Sequence, residues 1–192
     1  MKPGSEIDLN PPLPKLVAVD LDYTLWPCWV DTHIHPPLKP TNKPGELVDK
    51  AGRKLSFFTD VPHILATLQS VGVKIAACSR THRPDIARQA LSDIRIPRKP
   101  NSSSDEQEQD LIRSIDLFDN LQIYPGSKLS HFETIQKEMK IEYKDILFFD
   151  DEPRNSEVER LGVHFMLVDD SIGLNWDTFM KGLNAWRSKQ VE

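Results

Sequence analysis

The sequence predicts an α/β fold, a doubly wound, Rossmann-like sheet of about five parallel strands with helices on both faces. Three observations carry that prediction. Five short runs are almost continuously apolar and rich in strand formers, as strands covered on both faces are. Segments with helical hydrophobic spacing lie between them. Acidic, hydroxyl and basic residues recur just after the runs, at the strand ends where such sheets bind ligands.

Residues 1–14 hold four prolines and no hydrophobic period, which reads as a flexible arm ahead of a single domain over 15–192. Leu16–Val19 is the first strand. Residues 26–59 then separate it from its helix, too long a stretch for a simple βα loop. Within that stretch Leu47-Val48 and Leu55–Phe58 flank Asp49–Lys54, the pattern of a hairpin. We expect a small β-hairpin flap over the strand ends and no large cap domain. Ile64, Leu65, Leu68 and Val71 make one helical face after Val61-Pro62, and Val73–Cys78 is the second strand. Ile86, Ala87, Ala90, Leu91 and Ile94 make the next face, with Pro84 suited to its first turn.

Residues 98–110, with Asn-Ser-Ser-Ser-Asp-Glu, read as a mobile surface loop. Leu121–Tyr124 is the third strand. Phe132, Ile135 and Met139 follow as a helix, opened by a possible capping box at Ser130 and Glu133. Ile146–Phe149 is the fourth strand and Pro153–Leu161 a short helix. His164–Val168 is the fifth strand. Trp176, Phe179, Met180 and Leu183 form the last helix, with Asn175 as its cap.

Composition narrows the function. The chain has 192 residues, 39% hydrophobic and 28% charged, with a net charge of -5. That balance argues against a general nucleic-acid or polyanion binder. Met1–Lys15 lacks the apolar core of a signal peptide. No stretch reaches the length of a membrane span. Two cysteines, Cys28 and Cys78, are too few for a disulfide scaffold and suit a reduced, cytoplasmic setting.

The strand ends carry the chemistry. Asp20 and Asp22 close the first strand one residue apart, and residues i and i+2 of a strand face the same way. Two carboxylates in one crevice repel. A metal ion, a proton or a cationic ligand must offset that repulsion. Alone, the pair reads equally well as an Asp-rich turn. The second strand ends in Ser79, Arg80 and Thr81, the third in Gly126-Ser-Lys128, the fourth in Asp150 and Asp151. Acids, a hydroxyl, an amine and acids again make a phosphate-and-magnesium kit. Asp169 and Asp170 precede Ser171 and Gly173 and read as a turn.

This order resembles the haloacid dehalogenase-like phosphohydrolase superfamily. Asp20-x-Asp22-x-Thr24 matches its first motif, Ser79 its second, Lys128 its third and Asp150-Asp151 its fourth. Asp20–Pro27, Trp29–His33, Cys78–Thr81, Tyr124–Lys128 and Phe148–Glu152 with Arg154-Asn155 are similar to the eukaryotic magnesium-dependent phosphatase family, from about Lys15 to Asp170. Cys78, where a small residue such as alanine is common, the Ser-rich loop and the proline-rich arm depart from that pattern.

The resemblance implies a Mg²⁺-dependent phosphomonoesterase working through an aspartyl-phosphate. Asp20 would be the nucleophile. Asp22 would be the general acid for the leaving oxygen, then the general base for water. Mg²⁺ would bind the carboxylates of Asp20 and Asp151 and the backbone carbonyl of Asp22, with Asp150 holding an outer-shell water. The backbone N–H of Leu21, with Ser79 and Arg80, would hold phosphate oxygens, and Lys128 would offset their charge. The implied substrate is a phosphorylated small molecule or a phosphoprotein, of the sugar-phosphate or phosphotyrosine kind.

Other readings compete. A cysteine-dependent phosphatase needs an arginine six residues after its cysteine, but those positions are Pro84 after Cys78 and Ile34 after Cys28. A non-catalytic phospho-accepting signalling module would place its accepting Asp after the third strand, where no Asp stands. Asp31, His33 and His35 suggest zinc only weakly, without a clear third and fourth ligand. Trp26 and Trp29 read first as packing beneath the flap, with contact to an aromatic substrate as the second reading.

Overall fold

The computed structural model describes residues 9–99 and 110–190. The expected flexibility of residues 1–8 and 100–109 falls outside the described residues. In chain order the elements are β1 (Leu16–Val19), α1 (Val30–His33), β2 (Lys39–Pro40), β3 (Glu46–Val48), β4 (Lys54–Ser56) and α2 (Val61–Ser70). There follow β5 (Lys74–Ser79), α3 (Pro84–Asp93), β6 (Arg95–Pro97), β7 (Leu111–Arg113), a 3₁₀ turn (Ser114–Leu117) and β8 (Asn120–Ile123). The chain continues through α4 (Lys128–Met139), β9 (Ile146–Asp150), a 3₁₀ helix (Pro153–Leu161), β10 (His164–Leu167) and α5 (Trp176–Lys189). Among the described residues no helix is long and apolar enough to cross a membrane.

The main sheet runs β10-β9-β1-β5-β8, and every neighbouring pair is parallel. The first strand is central. The chain builds outward on one side through β5 and β8, then returns to the other side for β9 and β10. Such a reversal opens a crevice at the carboxyl end of the middle strand.

The strands read as continuously apolar because each residue parity serves a separate core. Val17, Val19, Ile75, Ala77, Leu147 and Phe149 pack into one cluster with residues of α2, α3 and α5. Leu16, Ala18, Ala76, Cys78, Ile146 and Phe148 pack into another with Phe132 and Ile135 of α4 and Val158. Alternation of side chains along a strand makes this division unavoidable once both faces are covered.

Several local expectations change. Helix α4 is capped by Ser127, whose Oγ accepts from Leu129 N at 3.1 Å. Ser130 lies inside the first turn, so the Ser130–Glu133 box is not the start. Ser127 has extended backbone (φ -77°, ψ 144°), the conformation an N-cap requires. Asn175 does cap α5, accepting from Thr178 N at 2.9 Å.

Residues 9–14 lie against the domain. Leu9 is buried in the larger core, Leu13 packs on it, and Arg187 donates to the carbonyls of Asn10 and Pro12. The 26–59 insertion contains a three-stranded antiparallel sheet, β2-β3-β4, where we expected a hairpin. A second hairpin, β6-β7, brackets the Ser-rich stretch.

Candidate active site

Strand β1 keeps its register past Val19, for Asp20 N donates to Phe149 O at 2.9 Å. The chain then coils tightly. Thr24, Leu25 and Trp26 all donate backbone N–H groups to Leu21 O, and Tyr23 N donates to Trp26 O at 2.8 Å. Tyr23 adopts a left-handed conformation (φ 55°), uncommon for a residue with a Cβ. The coil folds Trp26 back over Asp22. Its indole N–H donates to Asp22 Oδ1 at 2.7 Å, and Val30 N donates to the same oxygen at 3.2 Å. Trp26 is fully buried and stacks on Phe57, with ring centroids 6.0 Å apart.

Asp20 continues the parity of Leu16 and Ala18, the face covered by α4. The first residue of α4 is Lys128, so the two side chains meet. Lys128 Nζ is 2.5 Å from Asp20 Oδ1 and 2.8 Å from Asp150 Oδ2, and it also donates to Cys78 O. It lies over the Phe148 ring, 5.2 Å from the centroid. The lysine is entirely out of water. Burial opposes its charge, yet Asp20 and Asp150 hold its pKa above the ordinary value.

Asp150 is fully buried beneath the cleft floor. Asn155 Nδ2 reaches both of its oxygens, at 2.8 and 2.9 Å, and Glu152 N donates to Oδ1 at 2.8 Å. Asn155 Oδ1 accepts from Arg80 Nη1 at 3.1 Å. One buried amide thus ties the fourth strand's acid to the second strand's arginine. Ser79 is buried at the end of β5, and its Oγ accepts from Thr81 N at 3.3 Å.

These elements enclose a cleft of about 380 Å³. Five of the residues singled out from sequence line it: Asp20, Asp22, Ser79, Arg80 and Asp151. Lys128 and Asp150 stand behind the wall. Trp29, Asp31, Thr81, His82, Glu152 and Arg154 complete the lining. The β2-β3-β4 sheet contributes no lining residue; α1 and the residue before it form that rim instead.

Trp29 is therefore not packing. It is 49% exposed, with Tyr23 edge-on at 5.2 Å and His33 stacked at 5.7 Å. Asp31 Oδ2 accepts from His82 N across the rim at 3.2 Å. Arg154 is held by two bonds to Glu152, at 2.8 and 2.7 Å. The sequence signal for this rim was the clustering of polar residues next to each motif, which alone does not separate a lining residue from a solvated one.

The acids are crowded. Burial pushes Asp20 well above the ordinary carboxylate range, against the pull of Lys128. Burial raises Asp22 to about 7, opposed by the bonds from Trp26 and Val30. Burial and then Asp150 raise Asp151 to about 6. A cation among them would relieve that cost. Among the described residues no three acidic, histidine or cysteine side chains form a ready-made metal cage. The oxygen-only donor set suits an ion that keeps much of its own water.

The sequence matches the acid phosphatase family model over residues 12–189. The chain belongs to the acid phosphatase family. This acid phosphatase-family chain is 42% identical over 173 residues to a HAD-like hydrolase superfamily protein of Schizosaccharomyces pombe, covering 90% of this chain and 95% of that one. It is 39% identical over 180 residues to Magnesium-dependent phosphatase 1 of Homo sapiens, covering 93% and 90%.

Solved structures share the fold of this acid phosphatase-family chain. A Bacteroides fragilis protein fragment containing a phosphatase domain, complexed with Mg, aligns with a TM-score of 0.55 at 20% identity, over 90% of this chain and 40% of that one. A HAD-superfamily hydrolase from Ehrlichia chaffeensis aligns with a TM-score of 0.53 at 12% identity, over 93% and 98%.

Proposed function

We propose that the chain is a Mg²⁺-dependent phosphomonoesterase that works through an aspartyl-phosphate on Asp20. The observation that carries this reading is the contact of Lys128 Nζ with Asp20 Oδ1 at 2.5 Å, at the edge of the cleft. The ammonium favours the carboxylate anion, the nucleophilic form, against the burial that raises Asp20, and a bound cation would add to that pull.

In the first step an Asp20 oxygen attacks phosphorus. The bond to the leaving oxygen breaks, and that oxygen takes a proton from Asp22. In the second step water attacks the phosphorus of the aspartyl-phosphate and gives its proton to Asp22. Inorganic phosphate leaves and Asp20 is restored. A carboxyl raised to about 7 can both give and accept a proton near neutrality.

Ser79, Arg80 and the backbone N–H of Leu21 would hold the phosphoryl oxygens, and Asn155 sets the angle of Arg80. The carboxylates of Asp20 and Asp151 with the backbone carbonyl of Asp22 would hold Mg²⁺, which neutralises charge on the transferring phosphoryl group. Asp150, with its oxygens engaged by Lys128, Asn155 and Glu152 N, serves the site better as an anchor than as a water holder.

For the substrate, the exposed Trp29 beside the cleft supports a phosphotyrosine-like or sugar phosphate, since an indole face packs on either ring. Two buried cysteines that are not joined to each other are consistent with a cytoplasmic setting. The test is turnover of phosphotyrosine peptides and sugar phosphates with Mg²⁺, ranked by kcat/KM. Asp20→Asn should abolish turnover and EDTA should stop it reversibly. Normal turnover in Asp20→Asn would exclude the mechanism.

A further inference from the structure

Asp22 has two carboxylate oxygens in unequal surroundings. Oδ1 accepts two N–H groups, from the Trp26 indole at 2.7 Å and from Val30 at 3.2 Å. Both donors are fully buried. An oxygen that already accepts two N–H bonds is a poor place for a proton, because an O–H there would face two donors. The indole itself is fixed. It stacks on Phe57 with the planes 3° apart, and its backbone bridges to Asp22 within the left-handed turn at Tyr23.

We infer that Trp26 is a positioning residue for the acid–base step: its indole N–H holds Oδ1 of Asp22, so that the transferred proton resides on Oδ2. This rests on the reading of Asp22 as general acid. As the bond between phosphorus and the leaving oxygen breaks, its electron pair stays on that oxygen, which takes the proton from Oδ2. The electron pair of the broken O–H bond remains on the carboxylate, and the indole N–H stabilises the resulting charge at Oδ1. Loss of the indole N–H leaves only the longer Val30 bond on Oδ1, so the carboxyl is held less firmly, and a misplaced acid matters most where the leaving group needs its proton.

The test compares substrates whose leaving groups differ in basicity. Trp26→Phe keeps an aromatic ring for the Phe57 stack and removes the N–H. The readout is kcat/KM, which reports steps up to formation of the phosphoenzyme. For an alkyl phosphate it should fall by about 30-fold, a part of the roughly 10²–10⁴-fold that a positioned proton donor supplies. For dinitrophenyl phosphate, whose leaving group departs without a proton, it should change by less than about threefold. Asp22→Asn should show the same selectivity, more strongly. Phe57→Leu, which disturbs the stack and spares both the N–H and the backbone bridge to Asp22, should show a smaller selectivity than Trp26→Phe.

Equal losses on both substrates in Trp26→Phe, with Asp22→Asn selective, would overturn the positioning role alone. An Asp22→Asn enzyme without selectivity would remove the acid role itself, and this inference with it. If Trp26→Phe fails to fold, benzothienylalanine at position 26 replaces the N–H by sulfur at nearly constant shape and gives the same two readouts.

Discussion

Lys128 Nζ lies 2.5 Å from Asp20 Oδ1 and 2.8 Å from Asp150 Oδ2, so one buried cation serves two buried acids on neighbouring strands. Removing it leaves both carboxylates uncompensated. Lys128→Met should destabilise the protein by about 3–5 kcal/mol, the usual result of breaking a buried ion pair from one side. Adding Asp150→Asn should restore part of the loss. Urea unfolding of the single and double variants measures both effects, and a single variant as stable as the parent would refute the compensation argument.

Asn155 joins Arg80 to Asp150 through one amide. Asn155→Ala frees the guanidinium without removing it. We expect KM for phosphate monoesters to rise about tenfold, roughly the worth of one hydrogen bond to a charged group. Steady-state kinetics should show a smaller change in kcat. A loss confined to kcat would mean that Arg80 does not depend on Asn155.

His131 links stability to pH. Its Nε2 contacts Tyr124 O at 3.1 Å, and its Nδ1 has no hydrogen-bond partner among the described residues. Burial, then Lys128, lowers its pKa from 6.5 to about 4. Between those values the unfolded chain binds a proton that the folded one refuses, so this group's stabilisation is complete above about pH 6.5 and is lost as pH falls toward 4. His131→Gln keeps a donor for Tyr124 O and removes the titration. Unfolding free energies across that window should fall more steeply in the parent than in the variant. Parallel slopes would contradict the assignment.

Both thiols should be inert. Cys28 and Cys78 are buried, and burial pushes each up to about 12. At about pH 8 neither carries appreciable thiolate. A disulfide reagent should label neither in the native protein and both in denaturant. Cys78→Ala should keep its activity, because Lys128 uses the Cys78 carbonyl and not the sulfur. A large loss would return the cysteine to the chemistry.

Much of this was legible in the sequence. The strands are readable because they are short and mostly apolar, β1 and β9 on both parities, and the acids after β1 and β9 mark the ligand-binding edge. Other parts were not. Taken alone Lys128 reads like any surface lysine; its place in the order of motifs singles it out, but its burial follows only from the start of α4 at Ser127. Ser127 and Ser130 are equally good caps by composition; backbone geometry chooses between them. Trp26 and Trp29 read alike as packing residues, yet the turn at Tyr23 buries one against Asp22 and leaves the other on the rim. The pairing of Arg95–Pro97 with Leu111–Arg113 was hidden by the polar stretch between them.

The two-core arrangement has a consequence for how the chain tolerates change. In β1 the even positions and the odd positions are all apolar and all buried. Deleting one residue there would exchange the two sets at little hydrophobic cost, since neither face would gain a polar group. Only the strand's last step is lopsided, because Asp20 must share a face with Lys128. The apolar pattern inside the strand therefore does not fix its register; Asp20 does. A one-residue slip would leave a folded protein with the Asp20 carboxylate turned away from Lys128, to the other side of the sheet.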